Sequence, residues 1–170
     1  PSTDYALSAY YIISSAEAAS NLARYDGIGY GYRALDVQSV DELIERSRED
    51  SFGREVKRRI SFGSFALSAT QYDDVYEKAC KARLLVTREL DKLFEKADIL
   101  LAPTCISKPQ RRGEPLKYEA DYYTVLANLT GAAAITVCGV QLIAKRGNDE
   151  LLIETARILE ARLGGDNNDV

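Results

Sequence analysis

The chain has 170 residues, an apolar fraction of 46% and a formal net charge of −4 at pH 7, which are ordinary values for a globular domain. The negative charge argues against a dedicated binder of nucleic acids or anionic membranes, and no apolar run approaches the roughly 20 residues that span a bilayer. Histidine is absent and the three cysteines have no paired spacing, which argues against a zinc site and excludes Ser-His and Cys-His catalysis.

The sequence also contains no methionine. A primary translation product begins with that residue, so we expect a processed form, an excised segment or an incomplete record. The odd cysteine count favours a reducing compartment, and no secretory signal opens the chain.

The first predicted element is a helix, capped by Thr3 or Asp4, that ends near Tyr25. The Asp26-Gly27 pair predicts a turn in which Gly27 takes a positive φ as a C-terminal cap. The GIGYGY run that follows predicts an irregular extended segment. Two sets of residues define this helix: an apolar stripe at helical spacing (Ala6, Leu7, Tyr10, Ile13, Ala16, Leu22) and small residues that let another backbone come close (Ser14, Ser15, Ala16, Ala18, Ala19, Ser20).

Two shorter helices are predicted next. Ser39 and Glu42 have the spacing of a capping box, which predicts a helix that ends near Arg48. The polar residues 47–53 end in glycine and predict a loop. Apolar positions in helical spacing predict another helix over residues 53–69.

The longest predicted helix runs from about Tyr72 to Lys96, with Thr70 as its cap. After it, the apolar run over residues 99–101 ends at Pro103 and predicts a buried strand. The apolar stripe of the long helix consists of Val75, Ala79, Ala82, Val86, Leu90 and Leu93.

The last third of the chain predicts a helix, a hairpin and a second helix. A proline-rich surface loop covers residues 103–115, and the helix over residues 117–129 ends at Gly131. Strands over residues 134–137 and 140–143 flank a very tight turn, in which only two residues remain. The final amphipathic helix begins at Asn148 or Asp149 and ends at Leu163, and residues 164–170 are predicted to be a disordered tail. The predicted fold is therefore α/β, with helices packed on part of a mixed sheet.

Four motifs in order resemble the C-terminal half of amidase-signature enzymes. Within that family they are similar to the A subunit of glutamyl-tRNA(Gln) amidotransferase. The resemblance implies that residues 1–163 are the C-terminal part of an amidase-signature domain and supply only some strands of a large central sheet. The motifs are AYYIISSAEAASNLARYDGIGYGYR (9–33), SFGREVKRRISFGSFALS (51–68), ADILLAPT (97–104) and DYYTVLANLTG (121–131).

The resemblance also implies which chemistry is missing. Amidase-signature enzymes use a serine nucleophile, a second serine and a lysine, which lie around a glycine- and serine-rich stretch that this sequence lacks. The only Ser-Ser pair, Ser14-Ser15, lies inside a helix pattern, where packing with local hydroxyl-to-carbonyl bonds is the expected role. We therefore predict no catalytic residue, no metal and no cofactor in this chain.

By motif position, the resemblance places a glutamine-binding site on Tyr10, Arg59 and Asp121. A guanidinium matches the α-carboxylate of glutamine, an aspartate offsets its ammonium, and a tyrosine hydroxyl adds orientation. Each residue also has an alternative structural role: Tyr10 as a core residue, Arg59 as part of an exposed basic face beside Arg58, and Asp121 as a helix cap.

The family resemblance implies partners as well. The chain would work with a complementary N-terminal amidase half and other amidotransferase subunits, releasing ammonia from glutamine to amidate glutamate on tRNA(Gln). Its basic clusters are small, so contact with tRNA would be only indirect. One alternative is a non-catalytic structural or assembly subunit of a larger complex, for example a mitochondrial one. Another is a hydrolase of other small amides. The expected location is the cytoplasm or the mitochondrial matrix, without membrane insertion.

Overall fold

The computed structural model describes residues 2–107, 111, 113–114 and 118–163, so the predicted tail over residues 164–170 lies outside the described residues. The chain divides into two compact units. The sheet unit comprises Pro1–Tyr10 and Cys80–Val170, and the helical unit comprises Tyr11–Ala79. The elements are α1 (Ala6–Leu22), α2 (Val40–Ser51), α3 (Arg54–Ala66), α4 (Lys78–Phe94), β1 (Ile99–Pro103), α5 (Val125–Thr130), β2 (Ala133–Val137), β3 (Val140–Ala144) and α6 (Asp149–Leu163).

The sheet has the strand order β1-β3-β2, and both pairings are antiparallel. The predicted hairpin is confirmed, because Val137 pairs with Val140 across a two-residue turn. Both turn residues have positive φ, 48° at Cys138 and 79° at Gly139, as a type I′ turn requires. The predicted α/β class is confirmed, with a small antiparallel sheet among the described strands.

Helix α6 covers one face of this sheet. Leu142 and Ala144 of β3 are buried against Leu152 and Ala156 of α6, which follow one another at helical spacing. Partly buried residues from β1, β2 and α6 complete this cluster: Ile99, Ala133, Ile135, Val137 and Leu159. Burial of apolar surface between α6 and the hairpin therefore fixes the register predicted from the sequence.

Strand β1 is less buried than the sequence predicted. Its run of three apolar residues predicted a buried strand, but Leu101 is 69% exposed. Among the described strands, β1 pairs only with β3, so it is an edge strand. The apolar run predicts the strand correctly. The burial prediction is wrong for Leu101 because, among the described elements, α6 packs on β2 and β3 and not on this part of β1.

In the helical unit, α1 and α3 approach each other closely. A Cβ atom at Gly63 of α3 would collide with the backbone carbonyl of Ser15 and would lie 2.8 Å from Cβ of Ala19. The prediction that the small residues of α1 admit a neighbouring backbone is thus confirmed, and the partner is Gly63.

The tyrosine–glycine segment, residues 25–33, is irregular as predicted and is fixed on α2. Ser47 is fully buried, and its Oγ accepts a hydrogen bond from the backbone N–H of Ala34 at 2.9 Å. Gly27 has φ of 74°, and a Cβ there would lie 2.6 Å from Oγ of Ser47. Helix α1 already ends at Leu22, so Gly27 is not its cap. Glycine is favoured at this position for two reasons, its positive φ and the lack of room for a Cβ beside Ser47.

Three further boundary predictions are wrong. Residues 47–51 continue α2 instead of forming a loop, because Ser47 faces the buried side of that helix. Gln71, not Thr70, precedes the π-helical turn Tyr72–Glu77 that leads into α4. The helix predicted over residues 117–129 is a 3-10 turn, Tyr118–Asp121, followed by the short α5, which ends as predicted at Gly131 with φ of 76°.

Candidate substrate-binding site

The three predicted site residues lie on three different elements. Tyr10 is half-buried on α1, and Asp121 is exposed at the end of the 3-10 turn, both in the sheet unit. Arg59 is half-buried on α3, in the helical unit. The structure thus assigns Tyr10 and Asp121 to one unit and Arg59 to the other, and the joint site stays a prediction.

The turn that carries Asp121 is tied to the start of the chain. The hydroxyl of Tyr122, the next residue, donates to the Asp4 carboxylate at 3.3 Å, just before α1 begins. The backbone carbonyl of Asp121 accepts from the Thr124 hydroxyl at 3.1 Å. Thr124 is the N-cap residue of α5, so the alternative in which Asp121 caps that helix is wrong.

Arg59 belongs to a three-residue ionic cluster on α3. Its Nε donates to Oε1 of Glu55 at 3.0 Å. Arg58 binds the same carboxylate in a fork, with Nε 2.9 Å from Oε2 and Nη2 2.9 Å from Oε1. Both arginines follow Glu55 at the three- and four-residue steps that bring helix side chains together.

These hydrogen bonds change the titration of Glu55. Together they lower the pKa of the Glu55 carboxyl from 4.5 to about 2, with the larger contribution from Arg58 and the smaller one from Arg59. Glu55 therefore remains ionised at any ordinary pH and holds the two guanidinium groups in place. Because one carboxylate faces two guanidinium groups, the cluster keeps a net positive charge.

Arg59 is the less exposed of the two arginines. Its side chain is 35% exposed, compared with 54% for Arg58. The Arg59 guanidinium carbon lies 6.0 Å from the centre of the Tyr11 ring, at the outer limit of a cation–π contact. Within the described part of the chain, its one hydrogen bond uses Nε, so the edge formed by the two Nη atoms can still accommodate a carboxylate.

Glu55 and Tyr11 are thus the two residues that the sequence reasoning missed. The signal for Glu55 was available, because a glutamate three and four residues before two arginines predicts ion pairs on a helix. Tyr11 was harder to find, since it stands beside Tyr10 and adjacent helix residues point about 100° apart.

The Ser14-Ser15 pair has the structural role that its pattern predicted. Ser14 Oγ donates to the Tyr11 carbonyl at 3.5 Å, and Ser15 is buried where α3 crosses α1. All three cysteines are free thiols. Among the residues that the structure describes, no cluster of histidine, cysteine, aspartate and glutamate could hold a metal ion. No helix in those same ranges is both long and apolar enough to cross a bilayer.

Comparison with known proteins yields one family. The profile of the Amidase family matches residues 1–153. The A subunit of glutamyl-tRNA(Gln) amidotransferase from Alkaliphilus metalliredigens is 44% identical over 96% of this chain. The A subunits of the same enzyme from Lactobacillus gasseri and Francisella philomiragia are 42% identical, over 94% and 91% of it. The chain covers 36%, 36% and 35% of the lengths of these three relatives.

Proposed function

Because this chain belongs to the amidase family, we propose that it is the glutamine-binding part of an amidotransferase similar to the A subunit of glutamyl-tRNA(Gln) amidotransferase. The observation that carries the proposal is the 44% identity to such a protein over 96% of the chain. The complete enzyme releases ammonia from glutamine, and a partner subunit uses the ammonia to amidate glutamate attached to tRNA(Gln).

Arg59 is the proposed ligand of the glutamine α-carboxylate. Glu55 holds the guanidinium through Nε, which leaves the Nη edge for two parallel hydrogen bonds to a carboxylate. The Tyr11 ring limits the movement of the same group from one side. An arginine restrained in this way loses little side-chain entropy when the substrate binds.

Tyr10 and Asp121 are the proposed partners of the other end of the substrate. The Asp121 carboxylate would offset the α-ammonium, which would otherwise lose hydration without compensation. The Tyr10 hydroxyl would donate or accept one orienting hydrogen bond. Together with Arg59, these groups would recognise a zwitterionic amino acid and leave its side-chain amide pointing toward the nucleophile.

The chain itself binds and orients; it does not attack the amide. Its sequence lacks the glycine- and serine-rich stretch, and its only Ser-Ser pair is used in helix packing. We propose that a complementary amidase polypeptide, in the same precursor or in another chain, provides the serine nucleophile, the second serine and the lysine. The expected location is the cytoplasm or the mitochondrial matrix.

Calorimetry tests this proposal. Glutamine is titrated into the chain assembled with its complementary amidase part, and into the same assembly with Arg59→Ala. Loss of a ligand to a buried carboxylate costs ~2–5 kcal/mol, so we expect at least a roughly 30-fold weaker affinity. Arg58→Ala is the matched control, because it removes a neighbouring arginine bound to the same Glu55 and should change the affinity little. Equal affinities of the wild type and Arg59→Ala would refute the site.

A second candidate function is that of a non-catalytic structural or assembly subunit of a larger complex. The two candidates differ in what the native assembly contains. A copurifying polypeptide with the glycine- and serine-rich stretch supports the amidotransferase, whereas ribosomal or respiratory partners support the assembly role.

A further inference from the structure

Two of the three cysteines belong to the same end of the sheet. Cys105 follows the last residue of β1 by two positions, and Cys138 is the first residue of the turn between β2 and β3. Both are free, exposed thiols. Cys80 of α4 is also a free thiol, but it is half-buried. The hairpin end of the sheet therefore carries two accessible thiols on neighbouring segments of the chain.

The register of β1 and β3 places these two cysteines opposite each other. Beyond the last pair of the two strands, the backbone N–H of Thr104 donates to the carbonyl of Gly139 at 3.2 Å, so the ladder continues for one further residue. The next residues are Cys105 on one segment and Cys138 on the other. Because the Thr104 pair is hydrogen-bonded, the cysteines take the next position, which is non-hydrogen-bonded and brings paired side chains closest.

Thr104 also shows that the segment after β1 bends over the turn. Its hydroxyl donates to the Gly139 carbonyl at 3.0 Å and lies 3.5 Å from the hydroxyl of Thr136 on β2. Strand β3 separates β1 from β2, and neighbouring strands are about 4.8 Å apart, so short side chains of β1 and β2 do not ordinarily meet. The segment must therefore cross β3 toward the hairpin. Thr104 contacts residues on both sides of Cys138, and Cys105 is its direct neighbour.

We propose that Cys105 and Cys138 are a redox-sensitive dithiol, which hydrogen peroxide converts reversibly to a disulfide. One thiol, as its thiolate, attacks a peroxide oxygen; the O–O bond breaks, and the hydroxide that leaves takes up the thiol proton as water. The sulfur is now a sulfenic acid, which the second thiol attacks, so that the S–S bond forms and a second water leaves. The two thiols lose two electrons and two protons, and the peroxide is reduced to water.

The exposure of the pair suits this chemistry. Accessibility and a neighbouring thiol are two features that favour reversible oxidation of a cysteine, because the second thiol captures the sulfenic acid before it is oxidised further. An exposed disulfide is in turn open to attack by an external thiol. The bond would close a covalent loop around residues 106–137, which contains the 3-10 turn with Asp121, α5 and β2.

Mass spectrometry tests the inference on the 170-residue chain. The chain is reduced, freed of reductant and treated with a small molar excess of hydrogen peroxide, and the remaining thiols are alkylated. We expect the intact mass to fall by two hydrogen atoms and one thiol to be alkylated in place of three. A tryptic digest without reduction should contain Cys105 cross-linked to Cys138. Dithiothreitol should restore all three thiols.

Serine variants identify the two sulfur atoms. Cys105→Ser and Cys138→Ser should each lower the yield of intramolecular disulfide at least about tenfold, because a sulfenic acid would form without its resolving thiol. Cys80→Ser is the matched control and should form the disulfide as the wild type does. Cys105 and Cys138 are exposed, so their serine variants should fold.

Several outcomes would overturn the inference. They are three alkylatable thiols after peroxide treatment, a cross-link that contains Cys80, and oxidation to sulfinic acid without any cross-link. A disulfide whose yield rises with protein concentration would join two chains and would also overturn it. The reaction needs no glutamine and no second polypeptide. A failure here therefore leaves the proposed function in place, and a failed glutamine titration leaves the dithiol in place.

Discussion

Arg59 and Glu55 lie one helical turn apart on α3, with Nε of the arginine 3.0 Å from Oε1 of the glutamate. The pair does more than neutralise charge. Because Glu55 also binds Arg58 in a fork, one carboxylate holds two guanidinium groups of the same helix. A ligand that reaches Arg59 would therefore meet a restrained cation.

The titration of Glu55 provides the first prediction. Since two of the three hydrogen bonds to its carboxylate come from Arg58, Arg58→Ala should raise the Glu55 pKa further from its value of about 2 than Arg59→Ala does. Side-chain carbonyl NMR shifts followed against pH would measure all three values. A Glu55 pKa near 4.5 in the wild type would contradict the cluster.

The same shift predicts how stability depends on pH. The folded-state pKa of Glu55 lies below its ordinary value of 4.5, so the ionised group stabilises the fold above that pH. The contribution is lost as the pH falls from 4.5 toward 2. Because the carboxylate is 39% exposed, solvent screening limits the effect to less than about 1 kcal/mol.

Urea unfolding of the wild type and Glu55→Gln at several pH values would measure that difference. The two unfolding free energies should differ at neutral pH and converge near pH 2. Glu45→Gln is a suitable control, since it makes the same substitution at an exposed glutamate in the middle of α2, elsewhere in the helical unit. If the difference between the two unfolding free energies grew as the pH fell, the ionised Glu55 would not be stabilising the fold, and the prediction would be wrong.

The crossing of α1 and α3 predicts that Gly63→Ala is destabilising. The added Cβ would collide with the Ser15 backbone, which cannot move aside as a flexible side chain could. Overpacking of this kind costs about 1–3 kcal/mol, which chemical denaturation can measure. Gly29→Ala is the control, because nothing lies within 4 Å of a Cβ there and we expect a change within about 0.5 kcal/mol.

The buried hydrogen bond between Ala34 and Ser47 predicts that removal of the Ser47 hydroxyl is destabilising. Ser47→Ala would leave the Ala34 N–H buried without its acceptor, at a cost of about 1–3 kcal/mol. The thermal midpoint and the exchange rate of the Ala34 amide would both report the change. Ser61→Ala removes an exposed helix hydroxyl and should be nearly neutral. If both variants were equally stable, the tyrosine–glycine segment would not depend on α2 for its position.

Much of the architecture could be predicted from local sequence patterns. Helical spacing located the helices, and Ser39 caps α2 as its spacing with Glu42 predicted. The hairpin also followed from sequence, because two residues between apolar runs leave room only for a tight two-residue turn. Such patterns determine the type of each element because backbone geometry sets the spacing of residues that share a face. The order of motifs identified the family.

The tertiary structure alone decided which side chains meet. Nothing in the spacing of residues 47–53 indicated that Ser47 would be buried, because its acceptor role depends on Ala34, a residue on another segment. Leu101 has the apolar character of a buried residue but is exposed, because the neighbour of an edge strand is not encoded in the strand itself. Sequence spacing fixes the face of an element on which a residue lies, but burial and partnership depend on what packs against that face, which is settled only when distant segments come together.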